Sequence, residues 1–129
     1  MSDASWIRCD EVEPKVFPAN RVTRVLAGEG GLPSKRFVMG YVVVEPGGQV
    51  PAHDHPQEEV YFALEGRGQV VVGETTFEME PLSAVYIPSG EPHHLVNTGE
   101  GTLRFVFTYA PGGIVDHWAE ELAAAEGKA

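Results

Sequence analysis

Two short stretches of this chain collect the residue types that hold divalent metals. Gly47 is followed after five residues by His53-x-His55, after three more by Glu59, and after six more by Gly66. Further on, Pro88-x-Gly90 precedes His93 by two residues, and Asn97 follows after three more. At a few per cent usage for each residue type, the five specified residues of the first stretch arise by chance less than about once per million starting positions. A lone histidine is usually a satisfied polar core residue, but His53, His55, Glu59 and His93 in two patterned stretches point to a metal. Three neutral imidazoles and one carboxylate would leave a divalent ion with a residual charge of about +1, which favours an anionic or enolisable oxygen ligand. In an octahedral field two positions stay open for water, oxygen or a bidentate substrate.

Positioning these groups is a task for strands. Residues two apart on a strand share a side, so His53 and His55 are expected to project into a barrel while Asp54 faces away. Pro56 imposes a bend, after which the alternation that carries Glu59 also carries Tyr61 and Ala63 to the metal-facing side. The Pro-x-Gly turn brings His93 to the opposite wall. His94 and Glu58 fall on the wrong faces and are left out. Asn97 shares the face of His93 and is read as making turn or strand-end contacts. Two readings stand for Tyr61: a general acid or base beside the metal, or an aromatic residue lining the barrel with its hydroxyl bonded.

Between residues 37 and 110 the chain consists of short apolar, β-branched and aromatic runs separated by Gly and Pro, which predicts an all-β sandwich or barrel. Strands are expected over 37–44, 59–64, 69–72, 75–79, 84–87, 94–97 and 103–109, with Gly73-Glu74 as a tight hairpin turn. The first third, interrupted by Pro14, Pro18 and Pro33, adds one or two strands. After Pro111-Gly112-Gly113 the spacing of Ile114, Trp118, Leu122 and Ala125 predicts an amphipathic helix over about 114–125, with Trp118 as its packing anchor and His117 in solvent. Val60, Phe62 and Leu64 form a second apolar face on their strand. That face needs cover from the amino-terminal segment, the final helix or a second subunit, and a homodimer is expected. Among the remaining aromatic residues, Tyr41, Phe105, Phe107 and Tyr109 are possible pocket walls whose direction alternation alone does not settle. Arg104 has two readings, an anchor for a substrate carboxylate or a surface residue on an outer strand, and the second is preferred.

The 129 residues suit one domain, 1–129. Nine Lys and Arg against nineteen Asp and Glu make a net charge of −10, which repels nucleic acid and anionic lipid. Cys9 is the only cysteine, so no disulfide forms within the chain. No apolar run has signal-peptide or membrane-spanning length, and a cytoplasmic protein is expected.

The two stretches resemble the two signature motifs of the cupin superfamily, and the resemblance extends over roughly residues 37–111. It implies a double-stranded β-helix, the jelly-roll barrel of small metal-binding cupins, to which the spacing after Pro111 adds a short carboxy-terminal helix. It also implies one divalent transition metal per chain, Fe, Mn, Ni, Co or Zn, held by His53, His55, Glu59 and His93. One position departs from the family pattern: Leu82 stands where a turn glycine is usual. A side chain resists positive φ, so another turn geometry is expected there. Cupins host many reactions. The first expectation is a dioxygenase-type oxidoreductase acting on a small enolisable or carboxylate-bearing substrate. Alternatives are a lyase, isomerase or cyclase of the same fold, and a non-enzymatic metal- or small-molecule-binding protein. Cupin lyases that eliminate dimethyl sulfide carry a Tyr at the offset of Tyr61.

Overall fold

The computed structural model describes residues 3–113 and 116–126. Ten strands and one α-helix follow a single turn of 3-10 helix at Cys9–Glu11. The strands are β1 (Lys15–Phe17), β2 (Arg21–Ala27), β3 (Val38–Val44), β4 (Gln49–His53), β5 (Glu58–Glu65), β6 (Gly68–Val72), β7 (Thr75–Met79), β8 (Ala84–Ile87), β9 (His93–Val96) and β10 (Leu103–Ala110), and the helix is α1 (Asp116–Glu126). They build two antiparallel sheets, β1-β2-β3-β10-β5-β8 and β4-β9-β6-β7, facing each other as an all-β jelly roll. The expected strands are present to within a residue or two at each end, and the amino-terminal third supplies two. The strand missing from the apolar-run analysis is β4: Pro51, Ala52 and His53 dilute its apolar character, and Val50 is its one buried apolar residue.

Alternation in β2, β3 and β10 puts every second side chain inside. Along β10 the inward residues Leu103, Phe105, Phe107 and Tyr109 stand opposite Val44, Val42, Gly40 and Val38 of β3. On the other side, Phe105, Phe107 and Tyr109 stand opposite Ala63, Tyr61 and Glu59 of β5. The barrel is therefore filled in layers that run from a wholly apolar end at Val44, Leu95 and Leu103 towards a layer containing Glu59. Gly40 makes this possible, because a Cβ there would lie 2.3 Å from the Phe107 ring. Of the four aromatics whose direction was open, Phe105, Phe107 and Tyr109 point inward. Tyr41 faces outward, where its hydroxyl accepts a hydrogen bond from Arg104 at 2.7 Å. Arg104 also pairs with Glu65 at 2.7 Å and is a surface residue, as expected.

The turn at Leu82 departs from expectation. Leu82 does adopt a left-handed conformation, with φ 68°, so the turn keeps the geometry usually given to glycine. Ser83 N donates to Glu80 O at 3.0 Å and Leu82 N donates to Ala63 O at 2.8 Å, while the Ser83 hydroxyl ties both ends of the turn to Glu80. The Leu82 side chain is 76% exposed and meets no wall, so the penalty is limited to about 1–2 kcal/mol of backbone strain. The final helix α1 was one of three covers considered for the outer face of β5, and it lies elsewhere. Trp118 anchors it as expected, but against Phe17, Phe107 and Tyr109, so the helix is fastened to inward-facing aromatics and leaves the outer face of β5 uncovered. Val60 and Leu64 remain 39% and 44% exposed there. The Ile114 end of the expected helix and the side chains of His117 and Ala125 lie outside the described residues.

Candidate metal centre

Each donor of the cluster comes from a different kind of position. His53 closes β4 and pairs with His93, the first residue of β9, across the small sheet. The ladder slips between Val50 and His53, an irregularity that re-aims the end of β4. His55 lies beyond the strand, not on it as alternation implied. Its carbonyl is held by Gly90 N at 2.8 Å, so the Pro88-x-Gly90 turn that leads to His93 also fixes His55. Glu59 comes from the opposite sheet, paired with Ile87 and Tyr109.

All four donors lie within 4.8 Å of one another. His55, Glu59 and His93 are buried and His53 partly so. His94 is half-buried on the opposite face of β9, and Glu58 is exposed near Tyr86. Asn97 serves the turn: its amide donates to Val44 O and Gly101 O, and its oxygen accepts from Gly99 N, each at 2.9 Å.

The protonation pattern follows from what holds the rings. Nδ1 of His53 sits 2.7 Å from Pro51 O, Nδ1 of His55 3.0 Å from Gln57 O, and Nδ1 of His93 2.9 Å from Glu91 O. A carbonyl only accepts, so each Nδ1 carries the proton and each neutral ring presents the Nε2 lone pair. Those lone pairs converge on Glu59. His55 Nε2 lies 3.2 Å from Glu59 Oε1, and His93 Nε2 lies 3.4 Å from the same oxygen without forming a hydrogen bond. Lone pairs facing a carboxylate repel unless a cation joins them, and the cation can be a proton or a metal.

The titration of the metal-free groups reflects that need. Burial lowers the His55 pKa, but the hydrogen bond and charge of Glu59 outweigh it and the net shift is upward. Burial raises Glu59, yet His55 and His93 bring it below the ordinary carboxylate value. His53 is pushed down to about 4 by burial and then by His93. Together the buried Nε2 of His93, the three carbonyl-locked tautomers and the nitrogen-oxygen donor set fit a divalent transition ion.

Tyr61 stands two residues beyond Glu59 on the same inward face, its ring 6.3 Å from that of His93 and 4.9 Å from Phe105. Burial, and then the charge of Glu59, hold its phenol well above the usual value. Tyr61 is buried and lines the same small pocket as His53 and Glu59. Arg21 also lines this pocket and was missed at the sequence level. An arginine in the alternating run Arg21–Ala27 carries no sign of which face is inward. Only the burial of Arg21, Thr23, Val25 and Ala27 reveals it.

A jelly roll that brings His53, His55, Glu59 and His93 together as a candidate metal group defines a class of small β-barrel proteins, and the comparisons name its family. The model of the cupin domain matches residues 40–115, and the chain belongs to the cupin family. It is 40% identical over 70 residues to the dimethylsulfoniopropionate lyase DddQ of Ruegeria pomeroyi, covering 53% of this chain and 35% of that protein. It is 43% identical over 56 residues to a glucose-6-phosphate isomerase of Thermococcus litoralis, covering 40% and 30%. The chain thus spans about a third of the length of each. The structure of the polyketide cyclase RemF from Streptomyces resistomycificus superposes with a TM-score of 0.72 at 25% identity, covering 87% of both chains. The family therefore includes lyases, isomerases and cyclases. Among the described residues, no helix is long and apolar enough to cross a membrane.

Proposed function

We propose that the protein is a metal-dependent enzyme whose divalent ion is held by His53, His55, Glu59 and His93 and binds a small enolisable or carboxylate-bearing substrate through oxygen. The observation that carries this reading is the convergence of three carbonyl-locked imidazoles on one buried carboxylate. When bound, an iron ion would supply oxygen activation, giving a dioxygenase-type oxidoreductase, whereas Zn, Mn, Ni or Co would supply Lewis acidity.

The chain's own residues have defined tasks. Pro51, Gln57 and Glu91 hold the three rings through their carbonyls, and Glu59 contributes the negative charge. Phe105 and Phe107 exclude water from the layers below. Tyr61, whose phenol burial and the charge of Glu59 hold above its usual value in the metal-free site, holds a proton at its hydroxyl and is placed to donate it to a substrate oxygen. A lyase or cyclase reading is favoured by this inward phenol and by the likeness to DddQ and RemF. In that reading Tyr61 acts as acid or base without a change of oxidation state.

Metal content together with oxygen uptake tests the assignment. Near-stoichiometric iron and oxygen consumption with an enolisable substrate support the dioxygenase, and zinc, nickel or manganese with turnover under argon supports the second reading. Absence of metal after reconstitution leaves a small-molecule-binding protein. Tyr61→Phe should retain the metal and the β-rich circular dichroism spectrum while turnover falls about 10²–10⁴-fold.

The exposed Val60, Leu64 and Tyr86 on neighbouring strands β5 and β8 support a homodimer formed through this face. Sedimentation of Val60→Glu as a monomer, with wild type as a dimer, would bear it out. The charge of −10 supports a small-molecule substrate over nucleic acid or a membrane surface, and with a single cysteine it supports a cytoplasmic location.

A further inference from the structure

The geometry points to Arg21 as the binding residue for a second carboxylate on the substrate, with Glu121 of α1 standing in for that carboxylate in this structure. This inference rests on the proposed metal site and adds a substrate class to it: short dianions that reach from the metal to Arg21.

Arg21 is 2% exposed and turned into the barrel. Two contacts hold its guanidinium without any help from α1. Nη1 donates to Gln49 O at 2.8 Å, and the group lies 4.1 Å above the Phe17 ring. The remaining donors form a two-pronged fork on the Glu121 carboxylate, at 3.1 and 2.6 Å. A planar fork already oriented by a backbone carbonyl and an aromatic face is a carboxylate receptor. Its present occupant comes from a residue 100 positions away, on the chain's last described element.

The space around it supports exchange of that occupant. Arg21, His53, Glu59 and Tyr61 line one pocket of about 20 Å³, roughly the room needed by a single water. Trp118, one turn before Glu121, forms a wall of this pocket and also of an outer groove of about 640 Å³ bounded by Val12, Lys15 and Gly30. A substrate must therefore displace something to reach the metal. An acid that replaces Glu121 gains the Arg21 fork and joins the two spaces at Trp118. Gln49, whose carbonyl holds Arg21, and His53 are four residues apart on β4, at most about 13 Å along the strand. A dicarboxylate of about four to six carbons, with one end on the ion and the other on the fork, fits that span. The opposing view makes the Arg21–Glu121 pair a simple tie for the helix.

The test is calorimetric titration of the zinc-loaded protein with malonate, succinate, glutarate and adipate, each beside the monocarboxylate of equal length. The proteins are wild type, Glu121→Gln and Arg21→Gln. In wild type at least one dicarboxylate should bind about tenfold tighter than its monocarboxylate partner, the worth of a charge-assisted hydrogen-bonded pair. Glu121→Gln should increase that preference, and Arg21→Gln should erase it. In a Trp6→Phe background, where Trp118 is the remaining tryptophan, binding should also shift its emission to the red. A dicarboxylate preference that is absent in wild type, or unchanged in both variants, overturns the inference and leaves the helix tie. Zinc stoichiometry on the same samples separates the two levels. Full zinc without the preference overturns only the role of Arg21, whereas failure to hold zinc overturns the metal site and this inference together.

Discussion

Glu59 and Arg21 are both charged, both buried and both turned into the same barrel, yet their partners are assembled in opposite ways. Glu59 meets His53 and His55 from within six residues and His93 from the strand that pairs with β4, and backbone carbonyls lock every imidazole. Arg21 meets Glu121 across 100 residues of chain, through a helix fastened by Trp118, Leu122 and this ion pair. The first cluster is rigid because the loops that carry it belong to the barrel's own turns, as the Gly90 hydrogen bond to His55 illustrates. The second depends on one terminal element staying in place. The candidate metal group is thus built by the barrel itself, whereas the partner of Arg21 is supplied by the final described helix.

The sharpest way to break this contrast is to remove a ligand. His93→Ala should abolish stoichiometric metal, weakening affinity at least about a hundredfold, since altering even the groups behind metal ligands costs 10–100-fold. The circular dichroism spectrum should keep its β signature. Unchanged metal in elemental analysis would sink the site.

Next in size is Arg21→Met, which leaves the Glu121 carboxylate partnerless at a side-chain exposure of 11%. Urea unfolding should show a loss of about 3 kcal/mol, the lower end for a broken buried pair, because Glu121 sits close enough to solvent to swing outward. A loss under about 0.5 kcal/mol would make the pair a surface contact in energetic terms.

Acid should act on the metal cluster. In the metal-free protein the folded state resists protonating His53 down to about 4, against 6.5 for an ordinary imidazole. The unfolded chain therefore binds more protons between those values, and stability falls as pH drops through that window. Glu59, lowered on balance by His55 and His93, contributes stability above its unfolded value and loses it further into acid. His55, raised on balance by Glu59, works the other way: its contribution is complete below the ordinary imidazole value and is lost as pH rises through the folded one. Urea midpoints should fall from pH 7 to pH 4.5, and bound zinc should be released over the same range because protons compete for the Nε2 lone pairs. A midpoint that stays level or rises on acidification would contradict this assignment.

The smallest effect belongs to Leu82→Gly. Relief of the left-handed strain, less the added freedom of glycine in the unfolded chain, should raise stability by about 0.5–1 kcal/mol. A melting temperature lower than wild type would show that the exposed Leu82 side chain makes a contact of its own, such as one across the proposed dimer face.

The chain alone marked seven of its strands between residues 37 and 110, its hairpin at Gly73-Glu74 and the four residues of the candidate metal group. Each of these is a short-range pattern: period-two alternation, turn residues, or offsets set by strand geometry. It also marked Trp118 as an anchor, because four-residue spacing encodes a helix face. Tertiary structure decided the rest. Leu82 was expected to refuse a positive φ, but its own N–H bond to Ala63 O and the bonds between Ser83 and Glu80 hold the turn in that geometry. His55 was placed by alternation on a strand that in fact ends at His53, and Gly90 holds it instead. The inward direction of Phe105, Phe107 and Tyr109, and the capture of Arg21 by Glu121, depend on which face of each strand meets the opposite sheet and where the final helix comes to rest. Local spacing carries no record of either, because both are settled by burial between elements far apart in sequence.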